Sequence, residues 1–407
     1  MKGLLIKGGK RLSGTVVPQG SKNAALPMIF ASVLMHGTST LYGVPDITDV
    51  RVAIKIISRL GAVCTFSEGT LYINTDNLCY EETPVSLTSK IRASSYLLGA
   101  SLSRFGRVHP GSFGGCNFEH RPIDMHLYAA SRLGAVIGED VITCARLLGA
   151  DVYFDKVSVG ATVNALLLAV SADGESRIYN FAREPHIFAL IDFLRSAGAK
   201  ISVRPDFLFV RGRKLSSGCA TIIPDMIEAG TYLAISLATD SSVSVKGYPT
   251  GELVPFLGSL TDAGAVASYE EGKIAVSGFM QNPCNVITSP YPGFPTDLQP
   301  QTAPLMALHS GGVICERVWL SRFGYLESLK SFGIKYDRFA STVRIYPSTL
   351  RPASVTAIDL RAGASLIIAA LAVDGESFIG DAEVVYRGYE NIVKKLRALG
   401  ADIEEIP

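Results

Sequence analysis

The sequence predicts an α/β protein built from six copies of one helix–strand unit, divided into two domains of three. Three observations carry that expectation. The chain has 407 residues, and a length prior of roughly 150 residues per domain asks for two or three domains. A short phrase centred on Gly returns at near-constant spacing. A second phrase, combining turn, strand and helix start, precedes several of its copies.

The Gly phrase reads SRLGAV at Gly61 and at Gly134, RSAGAKI at Gly198, TDAGAV at Gly264, KSFGIKY at Gly333 and RALGADI at Gly400. The intervals are 73, 64, 66, 69 and 67 residues. Each copy follows apolar residues at helical spacing, as in DVRVAIKIISRLGA. The Gly suits a left-handed helix C-cap, and the β-prone residues behind it suit a strand. Upstream, HGTSTLYGVPDITD, DGESRIYNFAREPH and DGESFIGDAEVVYRGYE read as turn, short strand, loop and the start of a helix. A fixed period this long indicates repeated α/β units and exceeds the usual solenoid repeat. LLGADV at Gly149 falls outside the register, so the spacing carries the inference. Helices ending in such small apolar phrases are expected to lie partly buried, with sheets outside them.

Composition narrows the function. The net charge is +1, with 48% hydrophobic and 18% charged residues, which signals neither nucleic acid nor anionic membrane as a partner. Anions would have to be bound by local clusters of Arg and Lys. The apolar run in MKGLLIKGGKRLSG is too short for a signal peptide, and NALLLAV and ASLIIAALAV fall short of the ~20 residues of a membrane span. Seven scattered cysteines with no CxxC pair suit reduced thiols and a cytoplasmic location. The six histidines make no HxxxH or HExxH spacing, so no metal centre is expected.

Three stretches hold chemistry. In GSFGGCNFEHRPID, Gly114 and Gly115 precede Cys116, while His120 and Arg121 follow it. A lone cysteine is ordinarily an inert small hydrophobe, but nearby positive charge lowers a thiol pKa. In KVSVGATVNALLLAV the backbone amides around Gly160 suit phosphate oxygens, or the stretch is a loop entering a helix. A serine nucleophile elbow is rejected there, because Lys156 stands where GxSxG needs its first Gly. Asp297, after FPT, is either a helix N-cap or a functional carboxylate.

Taken together, SKNAALP (21–27), IRAS (91–94), GGC…RPID (114–124), KVSVGAT (156–162), AREP (182–185), YPGFPTDLQ (291–299), DLRAGASL (359–366) and RGYE (387–390) resemble the UDP-N-acetylglucosamine enolpyruvyl transferases, over essentially the whole chain. The phosphoshikimate enolpyruvyl transferases, a sister family, lack the cysteine loop and the FPTD phrase and match less well. The resemblance implies two inside-out α/β barrel domains, each of three βαβαββ repeats, with an intervening cleft. It implies boundaries of 21–225 for the first domain and 1–20 plus 226–407 for the second.

It also implies transfer of the enolpyruvyl group of phosphoenolpyruvate to the sugar 3′-hydroxyl, with release of phosphate and without metal or organic cofactor. Lys22, Arg121 and Arg387 would bind phosphoenolpyruvate, with Arg92 and Arg361 supporting the anionic site. Asn23 and Asp297 would hold the sugar, Asp297 as the base for its hydroxyl, and Val318 and Arg322 would belong to the same substrate site. The uridine nucleotide would lie along Arg121, Pro122, Ile123 and Asp124 and against Lys156, Ser158, Val159 and Gly160. Cys116 would act in proton delivery and product release and would be the target of the epoxide antibiotic fosfomycin.

Several positions depart from the family pattern. Phe113 stands before the glycines, and Phe118, Glu119 and His120 occupy places of small residues. Met226 replaces a common Arg, Leu320 an acid, and Tyr386 an acid before Arg387; YLESL shortens a family segment. These departures keep two alternatives open: transfer to a different uridine nucleotide, and a sugar-nucleotide-binding paralogue without catalysis. Retention of Lys22, Cys116, Asp297 and Arg387 speaks against the second.

Overall fold

All six glycines of the recurring phrase sit at positive φ, from 92° at Gly61 to 112° at Gly264. This left-handed conformation costs glycine nothing and ends each helix. The helices ahead of them are Thr48–Arg59, Asp124–Arg132, Pro185–Ser196, Val254–Asp262, Tyr325–Ser331 and Ile392–Ala398, and a strand begins two residues after every one of the glycines. Gly149 lacks this geometry: it is not among the positive-φ residues, and a Cβ there would lie 2.4 Å from the Glu175 carbonyl oxygen. The computed structural model describes residues 3–109 and 122–407.

The chain forms two units, Gly20–Ile223 and Met1–Gln19 with Pro224–Pro407. In the second, three four-stranded sheets share one pattern. Cys284–Ile287 runs parallel to Gly312–Cys315, which pairs antiparallel with Thr342–Tyr346, itself antiparallel to Lys335–Phe339. The other two sheets are completed from the chain's N-terminal end. Ser13–Val16 supplies the parallel first strand beside Ser242–Lys246, with Val243 opposite Gly14. Gly3–Gly8 is inserted antiparallel between Gly375–Gly380 and Asp402–Ile406.

Helices Met226–Ala238, Gln299–Leu308 and Leu360–Ala372 are buried almost all round. That follows from sequences such as LRAGASLIIAALA, which carry apolar residues on every face. The helices fill the middle and the sheets lie outside them, as the inside-out barrel requires.

The Gly20–Ile223 unit repeats the plan. Cys219–Thr221, from its far end, runs parallel to Thr38–Tyr42 and closes the first sheet. A second four-stranded sheet contains Asp151–Tyr153, Glu175–Tyr179, Phe207–Arg211 and Lys200–Val203. Among the described residues the third sheet has three strands, Arg107–Val108, Ile142–Thr143 and Val136–Ile137. The short helix Val85–Thr88 and the 3-10 helix Arg92–Tyr96 precede it, where the repeat would open with a strand. Helices Lys22–Ala31, Leu97–Phe105 and Val159–Ala169 supply the interior. Among the described residues no helix is long and apolar enough to cross a membrane, and no acidic, His or Cys cluster could hold a metal ion.

Candidate active site

In the unit containing the C-terminus, two of the predicted residues, Arg322 and Arg361, meet on the carboxylate of a third, Asp297. Asp297 lies in the turn before helix Gln299–Leu308 and does not cap it: that helix has Leu298 at its N-cap position with no side-chain cap. Arg322 Nη1 donates to Asp297 Oδ1 at 2.6 Å. Arg361 donates to Asp297 Oδ2 through Nη2 at 3.0 Å and Nε at 3.2 Å. The two arginine side chains are 7% and 4% exposed, against 29% for Asp297. A partly open carboxylate thus rests on two buried guanidiniums, with hydrogen bonds of the strong charge-assisted kind. Burial works against charge on Arg361, but Asp297, with Tyr389 and Asp225 behind it, more than reverses this and raises its pKa.

The supports of this group come from several parts of the chain. Asp359 caps helix Leu360–Ala372, its carboxylate accepting from the amides of Arg361 (2.8 Å) and Ala362 (2.9 Å), so Arg361 leaves the first turn in a fixed direction. The Tyr389 hydroxyl accepts from Arg361 Nη1 at 3.1 Å and lies 2.9 Å from Thr231 Oγ1. Glu316, fully buried, accepts from Thr288 Oγ1, Thr296 Oγ1 and the amides of Val318 and Trp319. It therefore ties the residue before Asp297 to the Val318 segment. Arg387 ends the 3-10 helix Ala382–Arg387 and is half-buried.

In the Gly20–Ile223 unit, Lys22 opens helix Lys22–Ala31 and Asn23 follows it. A lysine at a helix N-terminus opposes the helix dipole; here Asp49, buried in the first turn of Thr48–Arg59, meets Lys22 Nζ at 3.3 Å. Arg92 reaches the Pro122 carbonyl oxygen at 3.4 Å, and burial lowers its pKa. Ile123 and Asp124 begin helix Asp124–Arg132. Ser158 caps helix Val159–Ala169 by accepting from the Ala161 amide at 3.3 Å, and Lys156 stands exposed before it.

His126, which sequence reasoning missed, packs here. A Cβ on Gly160 would lie 2.8 Å from its Cε1, so Gly160 has a packing reason to be glycine. Asn164 Nδ2 lies 2.7 Å from His126 Nδ1, while Asn164 Oδ1 accepts from the Gly99 amide at 2.7 Å. Burial, reinforced by the charge on Arg92, holds the His126 pKa near 4. The ring is neutral at pH 7, with Nδ1 as the acceptor and the proton on Nε2.

Cys116 and Arg121 fall outside the described residues, as do Phe113, Phe118, Glu119 and His120. Of the other departures, Met226 packs against the core, Leu320 is exposed, and the Tyr386 hydroxyl donates to Glu405. The signal for the missed supports was a charge inside an apolar helical run, as with Glu228 in MIEAGTYLAISLA. The partners of such a charge, hundreds of residues away, left no sequence trace.

Comparison with known proteins shows the family. The family model described as EPSP synthase (3-phosphoshikimate 1-carboxyvinyltransferase) matches residues 6–396. The UDP-N-acetylglucosamine 1-carboxyvinyltransferase 2 of Carboxydothermus hydrogenoformans is 40% identical over 417 aligned positions, covering 100% of both chains. That of Listeria monocytogenes is 38% identical, covering 98% of this chain and 97% of its own. Among solved structures, the enolpyruvyl transferase NikO from Streptomyces tendae matches with a TM-score of 0.88 at 26% identity, over 100% of this chain and 99% of that one. EPSP synthase from Acinetobacter baumannii, at 15% identity and a TM-score of 0.73, shares the fold over the full length of both chains. The chain belongs to the UDP-N-acetylglucosamine 1-carboxyvinyltransferase family, within the wider EPSP synthase fold family.

Proposed function

We propose that the chain transfers the enolpyruvyl group of phosphoenolpyruvate to the 3′-hydroxyl of UDP-N-acetylglucosamine, releasing phosphate, as the first committed step of peptidoglycan synthesis. The observation that carries the reading is the Asp297 carboxylate held between Arg322 and Arg361, in a chain 40% identical end to end to curated enzymes of that name.

The reaction is an addition followed by an elimination. The sugar oxygen bonds to C2 of phosphoenolpyruvate as its proton leaves to Asp297, and C3 gains a proton from an acid, the role assigned to Cys116. C3 then loses a proton, the C2–O bond to phosphate breaks, and the vinyl ether and phosphate depart. General acid–base transfer of this kind contributes about 10²–10⁴-fold. Asp297 suits the base because two guanidiniums fix its orientation while it stays partly open to a ligand.

Lys22, Arg121 and Arg387 bind the carboxylate and phosphate of phosphoenolpyruvate, with Arg92 and Arg361 supporting them; fixed cations offset the charge that develops in the transition state. Asn23 and Asp297 hold the sugar, and Val318 and Arg322 contribute to binding the same substrate. Pro122, Ile123, Asp124, Lys156, Ser158, Val159 and Gly160 receive the uridine nucleotide.

The test is phosphate release from purified protein with phosphoenolpyruvate and either UDP-N-acetylglucosamine or a panel of uridine nucleotides. Release with UDP-N-acetylglucosamine is the expected result. Release with another nucleotide alone reassigns the acceptor, and release with none favours the binding paralogue. Intact-mass measurement after incubation with fosfomycin and the sugar nucleotide should show one adduct, absent in C116S; an unmodified mass would remove Cys116 from the acid–base set.

A further inference from the structure

We propose that Gln19 is a positioning residue for this reaction: its side-chain amide holds the backbone of Arg387–Glu390 in register, so that Arg387 is preorganised for the anionic substrate. The proposal rests on the reading of Arg387 given above. Gln19 is 7% exposed and its amide is used at both ends. Nε2 donates to the Gly388 carbonyl oxygen at 2.8 Å, and Oε1 accepts from the Glu390 amide. One side chain thus closes on both sides of Tyr389, much as a neighbouring β-strand would.

The Gln19 backbone is itself fixed. Its amide donates to Glu228 Oε2 at 2.6 Å, and its carbonyl oxygen accepts from the Asp225 amide at 2.8 Å. The other oxygen of Glu228 accepts from Lys395 Nζ at 2.7 Å. Glu228 is completely buried, and burial pushes its pKa up to about 7 against the pull of Lys395 and the Gln19 amide. A buried carboxylate is costly unless its oxygens are satisfied; here both oxygens are spent on Gln19 and Lys395.

Such an anchor is needed because Arg387 lies at the end of a 3-10 helix, whose hydrogen-bond geometry is poorer than that of an α-helix. The Tyr389 hydroxyl fixes the segment on its other side, through Thr231 and Arg361. A binding group held in place before substrate arrives loses less freedom on binding.

Steady-state kinetics of Q19A, with both substrates varied, tests the proposal. Losing two hydrogen bonds of about 0.5–1.5 kcal/mol each predicts a rise of about 5–150-fold in KM for phosphoenolpyruvate. KM for UDP-N-acetylglucosamine should stay within about twofold. Q19N, whose amide is one methylene short, should resemble Q19A, and it provides the same readout if Q19A does not fold. Equal rises in both KM values, or an unchanged KM for phosphoenolpyruvate, would overturn the proposal in favour of a merely structural role. R387A is the control for the underlying reading: if it leaves phosphoenolpyruvate use intact, the role of Arg387 falls and that of Gln19 with it.

Discussion

Asp297→Asn separates two consequences of one side chain. It keeps the shape, removes the base and takes the Asp297 charge away from two buried guanidiniums. Turnover should fall by about 10²–10⁴-fold, while UDP-N-acetylglucosamine still protects the protein in a thermal shift. Stability should also fall, by less than the about 3–5 kcal/mol of a broken fully buried pair, because Asp297 is 29% exposed. His126 gives a pH prediction. Its folded pKa of about 4 lies below the unfolded value of 6.5, so its contribution to stability is present above pH 6.5 and is lost as pH falls toward 4. Denaturation curves between pH 7 and 4 should slope down, and H126N should flatten the slope. Glu228 has the opposite sign: its pKa rises from 4.5 to about 7, so stability held below pH 4.5 declines as pH climbs through 7.

At the scale of elements, the six helix ends differ in ways that mutation can read. Gly400 has φ 100° with nothing near the place of a Cβ, whereas at Gly61 a Cβ would sit 2.7 Å from the Asn77 carbonyl oxygen. G400A should cost about 1–2 kcal/mol from conformation alone, and G61A more, in urea denaturation. Asp359→Ala removes the cap of the helix that aims Arg361 and should cost about 0.5–2 kcal/mol, with a loss of turnover beyond what that destabilisation explains. These ends were legible in the sequence because a left-handed C-cap needs Gly and the repeat recurs at fixed spacing. Asp297 and Arg361 were legible only through whole motifs, and their packing was not. Glu316, Tyr389 and His126 work through partners that folding brings from elsewhere, as Thr288 and Thr296 come to Glu316. No local pattern records such a pairing.

For the whole molecule, the borrowed strands matter most. Among the described residues, Gly20–Ile223 contains the strands of its own sheets, since Cys219–Thr221 closes the first of them. Pro224–Pro407 lacks two strands that only Gly3–Gly8 and Ser13–Val16 supply. A fragment of residues 20–223 should therefore unfold cooperatively, by circular dichroism. A fragment of residues 224–407 should do so only when a peptide of residues 1–19 is added; cooperative unfolding without it would contradict the borrowing.

The same borrowing sets a waiting time during synthesis. Gly3–Gly8 is made well before its partner Asp402–Ile406, with about 400 residues between them. At about 5–20 residues per second, the early strand spends about 20–80 s with an open edge while the domain after it has already been made. Lys7, Lys10 and Arg11 lie in or beside the two early strands, and charge of this kind discourages pairing with the wrong chain. Replacing all three with Thr should therefore increase aggregation of newly made chains more than it changes the midpoint of the folded protein.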